Sequence, residues 1–151
     1  MLPYVIQEGI QSTTPSGLSS GIRVHVQLIN GKWIVGGMLG KLSAGNDRIV
    51  NRHRGAKAVS ISDLLENYIL LEHSLARRTE EYAAFIGVQA GKVYGKEYPW
   101  CKECGIDLGI DPDGRLWIFE LNTTPSVAFF YQLDDKSSWK QIVNNRKMRN
   151  Q

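Results

Sequence analysis

Residues 105–122 read GIDLGIDPDGRLWIFELN, a pattern typical of two short strands joined by a tight turn. The Pro-Asp-Gly step at 112–114 places proline where a turn needs a fixed φ, and glycine where it needs a positive one. The sequence therefore predicts a hairpin. Alternation along its second strand divides the side chains between two faces, with Leu116, Ile118, Glu120 and Asn122 on one and Trp117, Phe119 and Leu121 on the other.

Three polar residues of this hairpin are candidates for a metal site. A turn over residues 112–115 sets Asp107 opposite Glu120, although a turn one residue longer or shorter changes that register. Opposed carboxylates repel each other in a sheet, and a bound cation reverses that effect. With the amide oxygen of Asn122 they form an all-oxygen ligand set that suits Mg²⁺ or Mn²⁺. The alternative is a solvated polar face.

A second hairpin is predicted upstream. Residues 22–29, IRVHVQLI, alternate between apolar and polar, with Arg23 on the polar face. Asn-Gly at 30–31 is a strong hairpin signal, and residues 32–42 form the return strand. The three glycines of that strand indicate a bulge or a close approach of another group. Residues 3–10 are predicted to form a further short strand.

The rest of the chain supplies helices. Residues 62–94 have a helical pattern that is long for one helix, so we expect a break near 70–73. The residues expected to pack on the core are Tyr68, Leu71, Leu75, Tyr82, Ile86 and Ala90. The predicted architecture is α+β, with helices on one face of an antiparallel sheet. It forms a single domain over 1–151, with a core over 1–135 and a tail or last helix over 136–151.

Composition excludes several classes of protein. The chain has 151 residues, 42% of them hydrophobic, which suits one globular core. It has no apolar run of the ~20 residues that a membrane span requires. A net charge of +3, without aromatic residues beside the basic ones, argues against nucleic-acid binding. Cys101 and Cys104 lack the further ligands that zinc requires, so we expect reduced structural thiols in a cytoplasmic protein.

Charge is divided between two stretches. Residues 41–58 are mainly basic and residues 103–120 mainly acidic. This pattern suits a phosphate ligand bridged by a divalent cation, or else two solvated surfaces of opposite sign. Arg23 carries a planar fork that matches phosphate oxygens, although an exposed strand arginine is common. No Walker phosphate loop is present.

Five segments resemble, in order, the C-terminal half of an ATP-grasp domain, and most closely the YheC/YheD-like, endospore coat-associated family. The last segment is the most specific, because it matches the family's metal-binding pair of strands. The segments are YVIQEGI (4–10), GIRVHVQ (21–27), GKWIVGGMLGKL (31–42), IVNRHRGAKAV (49–59) and GIDLGIDPDGRLWIFELNTTP (105–125).

The resemblance implies ATP-dependent activation of a carboxylate as an acyl phosphate, which an amine or thiol then attacks. It also implies roles for individual residues. Mg²⁺ is held by Asp107, Glu120 and Asn122; Arg23 contacts phosphate; and the nucleotide is bound by Gln7, Glu8, Ile10, Lys41 and Asn51. Two positions depart from the family pattern, since Gly21 stands where an aspartate is frequent and Lys41 where an arginine is common.

The family's glycine-rich N-terminal subdomain has no counterpart in this sequence, so we expect a fragment that does not turn over ATP by itself. The expected partners are a nucleotide and a small-molecule carboxylate, together with self-association through an exposed domain interface. The alternative function is a non-catalytic structural or binding module of the spore coat, with a spore-associated location.

Overall fold

The computed structural model describes residues 7–45 and 55–149. Within them, five strands form one antiparallel sheet in the order β3-β2-β1-β4-β5. The strands are β1 (Ser20–Ile29), β2 (Lys32–Leu42), β3 (Lys57–Val59), β4 (Glu103–Ile110) and β5 (Leu116–Asn122). The helices are a π-helical turn (Asp63–Tyr68), α1 (His73–Glu97), α2 (Ala128–Gln132) and α3 (Ser137–Arg149). The predicted α+β class is confirmed.

Both predicted hairpins are present. Asn30 and Gly31 have φ values of 49° and 77°, as a tight turn between β1 and β2 requires. In the other hairpin Asp107 pairs with Glu120, as predicted, but by a different route. The register near the turn differs by one residue from the expected one, and a bulge between Asp107 and Leu108 restores the pairing.

The glycines of β2 mark a bulge, as predicted, together with close contacts to side chains rather than to a ligand or another backbone. The register of β1 and β2 shifts between His25 and Val26. A Cβ atom on Gly37 would lie 2.8 Å from the Cβ of Ser138 in α3, and one on Gly40 would lie 2.6 Å from the Cβ of Leu64. These glycines therefore let helical segments approach both faces of the sheet.

The predicted break in the helical region is confirmed at Leu70, which has a φ of 65°. The expected apolar stripe was wrong in part, because Tyr68, Leu75 and Tyr82 are exposed. α1 contacts the sheet through small residues instead: a Cβ atom on Gly87 would lie 2.4 Å from Cγ1 of Val24. Close packing requires this small-residue face, so the larger side chains lie on the flank of the helix.

The helices are divided between the two faces of the sheet rather than confined to one. Val24 and Val26 of β1 face α1, while the alternate residues Arg23, His25 and Gln27 face the other way. α3 packs on the His25–Gln27 end of this second face, and α2 packs on its β2 and β3 side. The end around Arg23 is left open, and the candidate site lies there.

The segment before β1 differs from its prediction. Residues 7–10 have no regular structure, and residues 3–6 of the predicted strand lie outside the described residues, as does Asn51. Ser12 fixes the segment at the sheet, since its Oγ accepts a hydrogen bond from the Ile110 amide at 2.9 Å and donates one to the Ser20 carbonyl at 3.0 Å. Among the described residues, no helix combines the length and apolarity needed to cross a bilayer.

Candidate functional site

A groove of about 890 Å³ occupies the open end of the second face. Residues from β1, β2, β4 and β5 form its floor, and the irregular segment before β1 forms one wall. It brings together seven of the nine site residues expected from the sequence. They are Gln7, Glu8, Ile10, Arg23, Lys41, Asp107 and Glu120.

Asp107 is the centre of an ionic cluster on the groove floor. Its Oδ1 accepts hydrogen bonds from Arg23 Nε at 2.8 Å and from Lys41 Nζ at 2.7 Å, and its Oδ2 accepts one from Arg23 Nη2 at 2.7 Å. The three side chains are 8–12% exposed. β1, β2 and β4 each contribute one member, and we call Arg23, Lys41 and Asp107 the open triad.

The open triad depends on mutual compensation of charge. Burial alone would raise the pKa of Asp107, but the Arg23 hydrogen bond and the Lys41 charge outweigh it and hold that pKa below its ordinary value. Burial also lowers the pKa of Lys41, an effect that Asp107 opposes. Asp107 therefore stabilises the positive charges of both Arg23 and Lys41 beside the groove, although the two cations repel each other.

Glu120 and Asn122 lie beside the open triad on β5. The amide nitrogen of Asn122 donates a hydrogen bond to Glu120 Oε1 at 2.7 Å, which leaves the amide oxygen as an acceptor. Both residues thus present hard oxygen donors, which fit Mg²⁺ or Mn²⁺. Asp107 faces Glu120, but both of its oxygens already accept hydrogen bonds from cations, and only Oδ2 keeps a spare lone pair. The donor set therefore fits a divalent ion best at Glu120 and Asn122.

Two aromatic walls were missed in the sequence. Phe119 was placed on the face opposite to Glu120, yet both residues line the groove. The β4–β5 bulge brings consecutive side chains to one side, and Gly109 makes room, since a Cβ there would lie 2.1 Å from the Phe119 ring. Phe129 of α2 adds a second ring. A two-residue alternation cannot reveal a bulge, although Gly109 was a usable signal.

A second polar cluster, also missed, lies under α3 on the same face. Glu103 of β4 accepts hydrogen bonds from Arg146 Nε at 3.0 and 3.1 Å and from Gln27 Nε2 at 2.9 Å. Asn145 donates to Gln27 Oε1 at 2.9 Å. His25 lies 3.6 Å from Glu103 and is fully buried. We call these five residues the covered network.

The cysteines conform to the expectation of reduced, buried thiols. Cys101 and Cys104 are free, and their sulfur atoms lie 3.4 Å apart. Burial raises the pKa of Cys104 to about 12, which makes its thiol unreactive. No cluster of three or more His, Cys, Asp or Glu residues suited to a metal occurs over 7–45 and 55–149.

Comparison with known proteins identifies the family. The sequence profile described as YheC/D like ATP-grasp matches residues 2–147. The chain belongs to the YheC/D-like ATP-grasp family. One relative, the endospore coat-associated protein YheD of Bacillus subtilis (strain 168), is 23% identical to this chain over 133 residues. The match covers 84% of this chain and 27% of YheD, so the chain spans about a quarter of that relative. The resemblance carried by the five segments is thus confirmed.

Proposed function

We propose that this chain is the ATP- and Mg²⁺-binding C-terminal subdomain of a ligase that joins a carboxylate to an amine or a thiol. The observation that carries the proposal is the open triad, which sets two cations on the floor of a groove beside Glu120 and Asn122. Membership of the ATP-grasp family supports the nucleotide as the ligand.

Each wall of the groove is suited to one part of the nucleotide. Gln7, Glu8 and Ile10 line the groove on the irregular segment, where their backbone groups would meet an adenine. Arg23 and Lys41 lie where phosphates would sit, and their charges match phosphate oxygens. Asn51 is proposed to lie near the phosphates by family resemblance, and it is outside the described residues.

Glu120 and Asn122 would hold Mg²⁺, with the spare lone pair of Asp107 Oδ2 as a third donor. When bound, the ion would neutralise charge on the phosphate oxygens. Two protein carboxylates at most would be required, because Mg²⁺ commonly completes its shell with water and substrate phosphates.

In the proposed reaction, a carboxylate oxygen attacks the γ-phosphorus and the bond from that phosphorus to the bridging oxygen breaks, so ADP leaves. The amine or thiol then attacks the acyl carbon, phosphate departs, and the nucleophile's proton passes to solvent. Arg23 stabilises the charge that develops on the transferring phosphoryl group. Positioning and charge neutralisation supply the catalysis, and no covalent enzyme intermediate is required.

A second candidate is a non-catalytic binding module of the spore coat. It is favoured by the name of the relative, which describes coat association. Under this alternative the groove would bind nucleotide without turnover, or would not bind it at all. A spore-associated location would follow, in place of a purely cytoplasmic one.

Calorimetric titration with ATP, with and without Mg²⁺, tests the proposal on this chain and on a longer protein in which the N-terminal subdomain of another ATP-grasp protein is fused ahead of it. We expect millimolar affinity for the chain alone and at least about tenfold tighter binding for the longer protein, a difference of 1.4 kcal/mol or more. ADP release should require the longer protein, Mg²⁺ and an acceptor carboxylate.

Two variants sharpen that titration. Arg23→Ala should abolish measurable ATP binding, whereas Asp113→Asn, in the exposed β4–β5 turn, should leave it unchanged. Absence of ATP binding by both the chain and the longer protein would reject the ligase function and favour the structural module. Robust turnover by the 151-residue chain alone would reject the expected need for a second subdomain.

A further inference from the structure

We propose that Asp107 is a positioning residue for Arg23 and Lys41, in addition to any contact it makes with a metal. The proposal rests on the function proposed above, since it concerns how the groove holds phosphate. Its basis is the hydrogen-bond pattern of the open triad, in which one carboxylate binds cations from two different strands.

The geometry leaves hydrogen-bond donors for a ligand. An arginine has five N–H donors and a lysine three. Asp107 accepts two from Arg23 and one from Lys41, and neither cation has another hydrogen-bonded partner within the described part of the chain. The remaining donors are held in a fixed arrangement because Asp107 anchors both head groups.

The surroundings of Arg23 are shaped for this anchoring. A Cβ atom on Gly105 would lie 2.8 Å from Arg23 Nη1, so glycine is what lets the guanidinium lie against β4. Gly21 pairs with Lys41, but a Cβ there would lie 3.8 Å from Lys41 Cε, an ordinary van der Waals contact. A glycine thus makes room for the Arg23 guanidinium, and Asp107 joins it to Lys41.

A positioning role and simple electrostatics predict opposite effects of Asp107→Asn on anion affinity. If only net charge mattered, removing a negative charge would strengthen anion binding. If Asp107 orients the cations, binding weakens, because the amide nitrogen of Asn donates and cannot accept the hydrogen bond that Arg23 Nη2 makes to Oδ2. A purely metal-binding role gives a third result, a weakened affinity that excess Mg²⁺ restores.

The test uses the 151-residue chain and inorganic tripolyphosphate, titrated by calorimetry at increasing Mg²⁺. We expect Asp107→Asn to weaken binding about tenfold or more, without recovery at excess Mg²⁺. Glu120→Gln, which alters a proposed metal ligand, should lose affinity that excess Mg²⁺ recovers. Asp113→Asn makes the same chemical change at an exposed turn and should bind like the wild type.

Arg23→Lys supplies a second variant in case Asp107→Asn does not fold. It keeps the charge but removes the fork that spans both Asp107 oxygens, and we expect a similar loss that Mg²⁺ does not recover. Unchanged or tighter binding in either variant, or full recovery of Asp107→Asn by Mg²⁺, would overturn the positioning role while leaving the proposed function intact.

A ligand-free measurement separates the two proposals completely. In NMR spectra of the wild type, the Arg23 Nε–H should be protected from exchange with solvent, and Asp107→Asn should remove that protection. If the wild-type chain binds no tripolyphosphate, the ATP titration of the longer protein decides the proposed function, and the NMR measurement alone decides the role of Asp107. An unprotected Arg23 Nε–H in the wild type would then reject it.

Discussion

Two carboxylates of β4, Asp107 and Glu103, point to the same face of the sheet but have opposite surroundings. Asp107 binds Arg23 and Lys41 at the floor of a groove. Glu103 binds Arg146 and Gln27 beneath α3. The chemistry is similar in both places, so the difference lies in what covers it. The open triad, which borders a groove, retains donors for a ligand, whereas the covered network uses its donors to attach a helix.

The covered network thus has a structural explanation. Burial would raise the pKa of Glu103, but nearby His25 and the hydrogen bonds from Arg146 and Gln27 lower it well below its ordinary range. Arg146 also donates to the Pro125 carbonyl at 3.1 Å, which ties the segment after β5 to α3. That segment joins Asn122 to Phe129, so the network supports one side of the groove from beneath.

The largest expected effect is at the open end. In the longer protein, Glu120→Gln should lower kcat by about two to three orders of magnitude, the scale of losing one electrostatic stabiliser of the transition state. Folding should be unharmed, because the change removes repulsion between Glu120 and Asp107. Steady-state kinetics at several Mg²⁺ concentrations would measure this. A wild-type kcat at limiting Mg²⁺ would make Glu120 an ordinary solvated strand residue.

In the covered network, Arg146→Ala should instead lower the free energy of unfolding. It leaves Glu103 buried without its cation, and losing one partner of a buried pair costs about 3 kcal/mol. Urea denaturation of the variant and the wild type measures the difference, with Arg115→Ala as a control, because Arg115 pairs with Asp113 at the surface. Under conditions in which the variant remains folded, its affinity for tripolyphosphate should differ little from that of the wild type. A large affinity loss without destabilisation would erase the distinction between the two ends.

Acidification should also act through the covered network. Burial lowers the pKa of His25 from 6.5, although Glu103 opposes the shift, and the pKa of Glu103 lies below 4.5. Both groups therefore bind protons more readily in the unfolded chain. Their contribution to the free energy of unfolding is fully present above about pH 6.5 and falls as the pH decreases. The loss begins with His25 and continues below pH 4.5 with Glu103.

Each group contributes at most about 1.4 kcal/mol per pH unit to that slope. Thermal or urea unfolding between pH 7 and pH 5 should show it, and His25→Gln should flatten the slope. His73→Gln is the matched control, since the His73 side chain is 76% exposed. An equal slope in the wild type and His25→Gln would contradict the assignment.

The sequence predicted the open end better than the covered one, for a physical reason. Arg23, Asp107 and Glu120 lie on strands, where alternation of side chains indicates the polar face of each strand, although the pairing of Asp107 with Glu120 also requires the β4–β5 bulge. The covered network depends on α3, whose position is set by tertiary contacts with Gly36 and Gly37 of β2. The tail sequence carries no pattern that identifies Arg146 as a partner of Glu103.

Bulges explain the other misses. Phe119 enters the groove because a bulge interrupts the two-residue alternation. The predicted pairing of Asp107 with Glu120 depended on the same bulge, since the turn alone would have shifted it by one residue. α1 shows a related limit, because small residues rather than its larger apolar ones contact the sheet.

Gly105 lies between the two ends, and its substitution should give the smallest effect while testing their separation. A Cβ there would lie 2.8 Å from Arg23 Nη1 and 2.8 Å from the Pro125 Cβ, so Gly105→Ala must displace one of them. The flexible arginine is easier to move than the proline, which Arg146 holds through its carbonyl.

We expect Gly105→Ala to lower the free energy of unfolding by about 1 kcal/mol, at the low end for overpacking, and to weaken tripolyphosphate binding a fewfold. Unfolding and calorimetric titration of the same variant measure both quantities, and Gly114→Ala, at a turn glycine with φ of 79°, controls for a strained substitution remote from the groove. A stability loss with unchanged affinity would mean that Pro125 moves instead, and that the covered end yields before the open one.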